Sequence, residues 1–464
     1  MENIIINFTN STPLYYQIYT AIIEQMRKGT VKGGDKLPSK RRLSEELSVS
    51  VNTIDTAYQM LVAEGYANAR AKSGFYACSL AAPIAPARKA IVSCKKPPAL
   101  PVKYDFTTSG IDTSLFPFKV WSRIQRDILY THPELLNHGE RQGDANLREV
   151  ICTYLREYRG AVCSCEQIII GAGIEYLLSL LARFFADSSI AVEDPGYTRA
   201  ERVLRANGVN TVYLPLDKSG LSFDALQASC AKCAYITPSH QFPSGITMPI
   251  KRRQELLQWA QAKDDRYLIE DDYDSEFRFD SRPVPSLQGL DLNDKVVYIG
   301  TFSKSIAPSI RIGYMVLPYS LLARYNSEFS FYSSTVSRFE QQTLCRFIED
   351  GHFARHLNRL RCAYRLRRDV LVRELQSAFG DNVTISGAHT GLHLLASFSP
   401  DFLKDKNEAL LIKAALDASV RVSGLSSYYH NADTYRSRLT LVLGYSALNE
   451  TELTSAVRTL AKIF

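Results

Sequence analysis

The run YIGTFSKSIAPSIRIGY, Tyr298 to Tyr314, sets one amine, Lys304, in a loop with Thr301 and Ser303 and places Arg311 seven residues further on. An amine held in such a loop can condense with a carbonyl to give a Schiff base, and a guanidinium within reach can clamp an anion. A second run, RYLIEDDYD, closes an apolar stretch with Asp271, Asp272 and Tyr273. Alternate side chains of an extended chain share a face, so Asp271 and Tyr273 point one way and Asp272 the other. A carboxylate and a phenol on one face suit a ligand that offers both a protonated ring nitrogen and an ionised ring hydroxyl.

Pyridoxal 5'-phosphate (PLP) has both groups, together with an aldehyde that requires a lysine and a phosphate that requires backbone N–H groups and an arginine. Each requirement has a residue. Lys304 can form the Schiff base, and Thr301, Ser303 and Arg311 can hold the phosphate. The run GAGIEYLLSLL opens a helix whose first N–H groups, at Gly173, Ile174 and Glu175, point outward, and Tyr197, after EDPG, can lie over the ring as a flat cover. Singly, each has an ordinary alternative: a solvated lysine, a core tyrosine, a capping aspartate. Their shared placement at strand ends is what joins them into one site.

Those strand ends belong to a body that alternates helical patterns with short apolar runs, QIIIG, SIAVEDPGY, CAYITPSH, RYLIEDDYD and VVYIGTFSK. Such alternation predicts an α/β sheet with ligands bound beyond the carboxyl ends of the strands. There is no G-x-G-x-x-G, which counts against a dinucleotide fold.

The front of the chain is different. PLYYQIYTAIIEQMR predicts a first helix, with Leu14, Ile18, Ile22 or Ile23 and Met26 on its buried face. Ser39 is placed to cap a second helix. After the short turn SVS, Asn52 to Glu64 predicts a third, burying Ile54, Ala57, Tyr58, Leu61 and Val62. Two helices joined by so short a turn make a helix-turn-helix, and YANARAKSGFYACS predicts a two-stranded wing behind it. In a winged helix-turn-helix, Ser50, Asn52 and Thr53 face the major groove of double-stranded DNA, while Lys40, Arg41, Arg42 and Lys72 meet phosphates or base edges. Ser39 and Gly74 belong to the same surface. A helical packing module with solvated charges is the plainer alternative.

Between the two lies CSLAAPIAPARKAIVSCKKPPALPV, with five prolines and no acidic residue, which predicts an extended tether. The boundaries expected are 1–77 for the head, 78–103 for the linker and 104–464 for the body. The net charge of +7 is carried in front: +2 on the head, +5 on the linker and zero on the body. A basic front fits an anionic partner. The nine cysteines are scattered and unaccompanied by a secretory signal, so they predict reduced thiols. Cys163 and Cys165 form CxC and Cys230 and Cys233 CxxC, but no further ligands stand at zinc-binding spacing, so no metal site is expected. With no apolar run long enough to span a bilayer, the expectation is a soluble, cytoplasmic protein.

Through LPSKRRLSEELSVSVNTIDTAYQMLVAEGY and SGFY the head resembles the GntR family of bacterial transcription regulators. From YDFTTSGIDTSLFP through TPSHQFPSGITMP, IEDDYDSEFRF, GTFSKSIAPSIRIGY and DGHFARHLNRLR the body resembles the fold type I aminotransferases. That order of parts resembles the MocR subfamily. The resemblance implies a central, mostly parallel sheet with a small C-terminal α+β subdomain and a homodimer whose sites are completed by the other subunit. It implies that Lys304 carries PLP, Asp271 pairs with the ring nitrogen, Tyr273 meets the ring hydroxyl, Tyr197 stacks and Arg311 binds phosphate.

The sequence departs from the family at several places. Val51 stands where the GntR family usually has Arg, and Lys72 where it usually has Gly. Phe242-Pro243-Ser244-Gly245 replaces the aminotransferase Asn-Pro-Thr-Gly, leaving His240 or Gln241 to take the place of the asparagine at the cofactor. Gly171-Ala172-Gly173-Ile174 replaces a helix opening that usually carries two hydroxyls. Val442 stands where aminotransferases usually place the arginine that clamps a substrate α-carboxylate, and Arg421, Arg436 and Arg438 are substitutes that do not match by register. The implied function is a PLP-dependent regulator sensing PLP, an amino acid or an amine; the alternatives are a working aminotransferase on a DNA tether and an apo regulator with a vestigial site.

Overall fold

The computed structural model describes residues 6, 8, 12–79, 102–279, 284–403, 408–431 and 439–464, and the chain divides into two compact units, Met1–Pro97 and Pro98–Phe464. Most of the 78–103 segment and both Arg436 and Arg438 lie outside the described residues.

In the first unit, helix α1 (Leu14–Arg27) buries Ile18, Tyr19, Ile22, Ile23 and Met26, while Leu14, expected on that face, is exposed. Helix α2 (Lys40–Leu47) begins where the Ser39 hydroxyl accepts the Arg42 N–H at 3.2 Å. Helix α3 (Val51–Ala63) begins where the Ser50 hydroxyl accepts the Thr53 N–H at 3.1 Å, one residue earlier than the apolar pattern alone suggests. Its inner face, Ile54, Ala57, Tyr58 and Leu61, closes a core with α1 and Leu43. Strands β1 (Ala67–Arg70) and β2 (Gly74–Ala77) pair antiparallel and form the wing.

The second unit is built on an eight-stranded sheet: β3 (Ile168–Gly171), β4 (Ser189–Asp194), β5 (Asn210–Asp217), β6 (Gly220–Leu221), β7 (Cys233–Ile236), β8 (Tyr267–Asp272), β9 (Val296–Thr301) and β10 (Gly313–Val316). Their order is β3-β10-β9-β8-β7-β4-β5-β6. The inner neighbours from β9 to β5 are parallel, and β10 runs against both β9 and β3. Strands β3 and β7 are buried throughout, as strands covered by helices on both faces must be. The five apolar runs singled out in the sequence are β3, β4, β7, β8 and β9, and this topology brings their carboxyl ends to one edge.

The long helix His352–Phe379 leads to a smaller antiparallel sheet of β11 (Val383–Ser386), β12 (His393–Phe398), β13 (Ser423–Gly424) and β14 (Thr440–Gly444), ordered β11-β12-β14-β13. The helix Glu450–Leu460, opened by an Asn449 capping box, packs along the helix His352–Phe379. Among the described residues no helix is long and apolar enough to cross a membrane.

Candidate functional site

The carboxyl edge of the central sheet opens into a cavity of about 200 Å³ that Asp271, Tyr273, Thr301, Ser303, Lys304 and Arg311 all line. Ile174, Glu175 and Tyr197 line it too. Gly173 lies just outside, at the N-cap of helix α4 (Ile174–Phe184), with φ of +83°. A Cβ there would sit 2.7 Å from the Arg311 guanidinium, so glycine is what lets the arginine cross the helix opening.

Strand β8 delivers the acid. Asp271 takes a hydrogen bond from the Tyr235 hydroxyl on one oxygen, while its other oxygen is buried without a partner among the described residues. Burial pushes the carboxyl up to about 7. One residue on, Asp272 points to the opposite side, as strand alternation requires, and accepts from Arg159 Nε at 2.6 Å and the Tyr298 hydroxyl at 2.5 Å. The loop after β9 delivers the amine. Lys304 Nζ donates to the Thr108 carbonyl, and burial lowers the amine to about 8. A lysine so poised yields the neutral, nucleophilic form near physiological pH.

Beside it the Thr301 and Ser303 hydroxyls lie 2.8 Å apart. Arg311, with φ of +55°, donates to the Ala172 carbonyl at 3.1 Å and to Glu175 at 2.7 Å. Glu175 also accepts from Arg199 at 3.2 Å. Burial raises the Glu175 carboxyl, but the Arg311 and Arg199 contacts outweigh it and hold the group below its ordinary range. An anion arriving at Arg311 therefore meets a carboxylate already paired there.

Tyr197 stands edge-on to Phe242, with centroids 5.7 Å apart, and Phe242 in turn touches Tyr273, His393 and Tyr428. His240, expected at the cofactor, does not line the cavity but lies behind Tyr273, whose hydroxyl is 3.0 Å from both its Nδ1 and its carbonyl oxygen. Gln241 is also turned inward: its amide donates to the Pro195 and Phe242 carbonyls and its oxygen accepts from Ser244, so it braces the loop. Thr108, Thr237, Asp274, Leu392 and His393 line the cavity without having been singled out in the sequence. They come from segments distant in the chain, and only the order of strands brings them together.

Val442 is fully buried on β14 in a small apolar cluster with Leu395 and Leu425, against which Tyr428 and Tyr429 pack. Arg421 faces elsewhere, donating to Asp105 at 2.9 Å. His240, Asp274 and His393 bring possible metal-ligand atoms within 4.8 Å of one another. Each histidine already has one nitrogen on a protein oxygen, His240 Nδ1 at 3.0 Å from Asp274 and His393 Nε2 at 3.0 Å from the Pro243 carbonyl.

The set fits PLP. The oxygen of Asp271 that has no partner among the described residues is where a protonated ring nitrogen would be satisfied, and Lys304 is the part-buried amine that an aldehyde requires. The hydroxyls, Arg311 and the α4 opening offer donors for a phosphate.

The first unit presents the expected DNA-facing residues in two ways. Arg41, Asn52 and Lys72 are exposed. Lys40 is paired with Asp55 and lies over the Phe75 ring, Arg42 is paired with Glu46 at 2.7 Å, and Ser39 and Ser50 cap their helices. The Thr53 hydroxyl is 2.8 Å from that of Ser50. Lys72 holds φ of +60° at the tip of the wing and Gly74 φ of +114°, so the chain makes with lysine a turn for which glycine is the usual residue.

Comparison with known proteins agrees with both halves. The aminotransferase class I and II family matches residues 109–460, and the gntR family of bacterial regulatory proteins matches residues 14–77. The HTH-type transcriptional regulator YdeL of Bacillus subtilis (strain 168) is 39% identical, covering 98% of this chain and 97% of its own. The probable rhizopine catabolism regulatory protein MocR of Rhizobium meliloti is 32% identical, covering 97% and 94%. Among solved structures, the kynurenine aminotransferase of Pyrococcus horikoshii aligns with a TM-score of 0.69 at 23% identity, over 79% of this chain and 91% of that one, a likeness of fold.

Proposed function

The chain belongs to the MocR-type regulators of the GntR family, PLP-dependent transcription factors in which a GntR head precedes an aminotransferase class I and II domain, and on that premise we propose that its body serves as a sensor and not as a working transaminase. The observation that carries this reading is Val442, fully buried among Leu395, Leu425, Tyr428 and Tyr429, at the position where the resemblance calls for a carboxylate-clamping arginine. The cations that line the cavity among the described residues are Lys304, Arg199 and Arg311, and both arginines already engage Glu175. Among the described residues an α-amino acid finds no dedicated bidentate partner, and a loosely held substrate does not present its Cα–H bond for proton removal.

Bound in the cavity, PLP supplies an aldehyde that condenses with primary amines and a ring that withdraws electrons. Lys304 provides the attachment point, Asp271 holds the charge of the ring nitrogen, Tyr273 faces the ring hydroxyl, and Tyr197 with Phe242 bounds the space above. PLP, alone or with an amino compound as effector, biases the body between two states and thereby changes how a homodimer presents its heads to operator DNA. The working-aminotransferase reading is supported by the presence of Lys304, Asp271 and Tyr273 together.

One experiment addresses both. Purified protein with PLP is expected to show the visible absorbance of a lysine-bound cofactor and a PLP-dependent change in DNA affinity. Lys304→Ala is expected to lose both while melting normally, since Lys304 is an anchor and not part of the apolar core. An unchanged band in that variant would overturn the cofactor assignment. Rapid formation of keto acid from α-amino acids by the unmodified protein would promote the enzyme.

A further inference from the structure

Tyr273 is backed by a buried pair, His240, which stands behind the cavity wall, and Asp274, which lines the cavity. Asp274 Oδ2 and Oδ1 stand 3.0 and 3.2 Å from His240 Nδ1, and the Tyr273 hydroxyl is 3.0 Å from the same nitrogen and 3.0 Å from the His240 carbonyl oxygen. His240 and Asp274 are almost wholly buried, and His240 Nε2 has no partner among the described residues. Two observations thus place the imidazole proton on Nδ1: a carboxylate faces that nitrogen, and a proton on Nε2 would be buried without an acceptor. With Nδ1–H as donor, its proton is shared between the Asp274 carboxylate and the Tyr273 oxygen, and the Tyr273 O–H donates to the His240 carbonyl. The phenol is therefore fixed on both sides by one residue, and Asp274 fixes that residue in turn.

We propose that His240 and Asp274 form a positioning pair that fixes the Tyr273 oxygen at the cavity wall and so helps set both the hold on PLP and the pH at which the lysine-bound cofactor changes protonation. The inference rests on the PLP reading above and deepens it: His240 acts through Tyr273, while Asp274, which also lines the cavity, acts on His240 and through its charge on Lys304. The groups that face the pair are Tyr273 from the loop after β8, His393 from β12 with its ring centroid 4.8 Å from that of His240, Lys304 from the loop after β9, and Arg278, which donates to the Ser239 carbonyl at 3.0 Å. Burial holds His393 down to about 3, so it stays neutral across the working range. Asp274 is the anion that favours the protonated form of Lys304.

The test follows the visible band of the holo-protein through a pH titration, with the PLP dissociation constant measured alongside. Asp274→Asn removes the anion, so the midpoint is expected to fall by about one pH unit. His240→Gln removes the imidazole lock on the phenol, and PLP is expected to bind about tenfold more weakly. That loss is expected to vanish when His240→Gln is made in a Tyr273→Phe background, which a merely structural role would not produce. Wild-type midpoints and dissociation constants in both variants, or an undiminished effect in the Tyr273→Phe background, would overturn the pair. Should Asp274→Asn fail to fold, His240→Gln and its double variant decide alone. A wild-type protein without a visible band overturns the PLP reading, and the pair with it.

Discussion

Glu193, Glu270 and Asp271 are buried toward the carboxyl edge of the central sheet and Glu276 is half-buried close by, and each is pushed upward first by burial: Glu193 to about 7, Glu270 to about 6, Asp271 to about 7 and Glu276 to about 7. An acid whose folded pKa lies above its unfolded value binds more protons folded than unfolded. The stability it contributes is present at low pH and is lost as pH rises through the folded value. The apoprotein is therefore expected to melt at a lower temperature at about pH 8 than at about pH 5: these carboxyls outweigh the opposing rise that His356 and His393, held by burial to about 4 and about 3, bring up to their ordinary value of 6.5, and the window ends below the rise that Lys304 brings between about 8 and 10.5. Asp271→Asn keeps an acceptor for Tyr235 and removes one titration, so it is expected to flatten this slope by on the order of 3 kcal/mol while weakening PLP binding. Thermal denaturation of the apo-variant across that range checks it. At this scale the sequence was partly legible. Strand alternation separates Asp271 and Tyr273 from Asp272, because period two is a property of the backbone. Nothing local marks Tyr235 as the partner of Asp271, or the Thr108 carbonyl as the acceptor for Lys304, since the first contact crosses strands and the second uses a main-chain atom that every residue has.

Elements decide what the same side chains can do. Val442 sits on β14 with Leu395 opposite on β12 and Ser423 opposite on β13, so an arginine there has to enter the apolar cluster that Tyr428 and Tyr429 cover. Val442→Arg is expected to cost about 3 kcal/mol or more through an unpaired buried charge, read as a lower melting temperature, rather than to gain a grip on α-amino acids by simple insertion. In the head, Ser50 is a cap before it is a reader of bases, because its hydroxyl is engaged with the Thr53 N–H and hydroxyl. Ser50→Ala is expected to lower the stability of the head by about 1 kcal/mol. Asn52→Ala, at an exposed position, is expected to leave melting unchanged and to weaken operator binding over random DNA. The helices were legible from apolar spacing and caps, and α3 differs from its expected start only because the cap residue, and not the first apolar residue, defines it. The two-residue strand β13 was not legible, since its pairing depends on β14 and not on any pattern of its own.

At the scale of the whole molecule, composition made the division legible: a basic, proline-rich segment separates two stretches that each bury an apolar core. What it left open is how the two units cooperate, because coupling resides in an equilibrium and not in a pattern of residues. The core of the head, built on Ile18, Ile22, Leu43, Ile54, Tyr58 and Leu61, is closed within its own unit, so residues 1–79 are expected to fold alone. In a homodimer each head raises the effective concentration of the other at a two-part operator, and the isolated head forgoes that gain. It is therefore expected to bind operator DNA about a hundredfold or more weakly than the full chain, with a shallower dependence on salt because fewer phosphates are engaged at once. It should also show no response to PLP, since Lys304 and Asp271 are gone. Titrations of both proteins on one operator at several salt concentrations, with and without PLP, measure all three. Full-length affinity from the isolated head would contradict the dimer, and a PLP response from it would move the sensor out of the body.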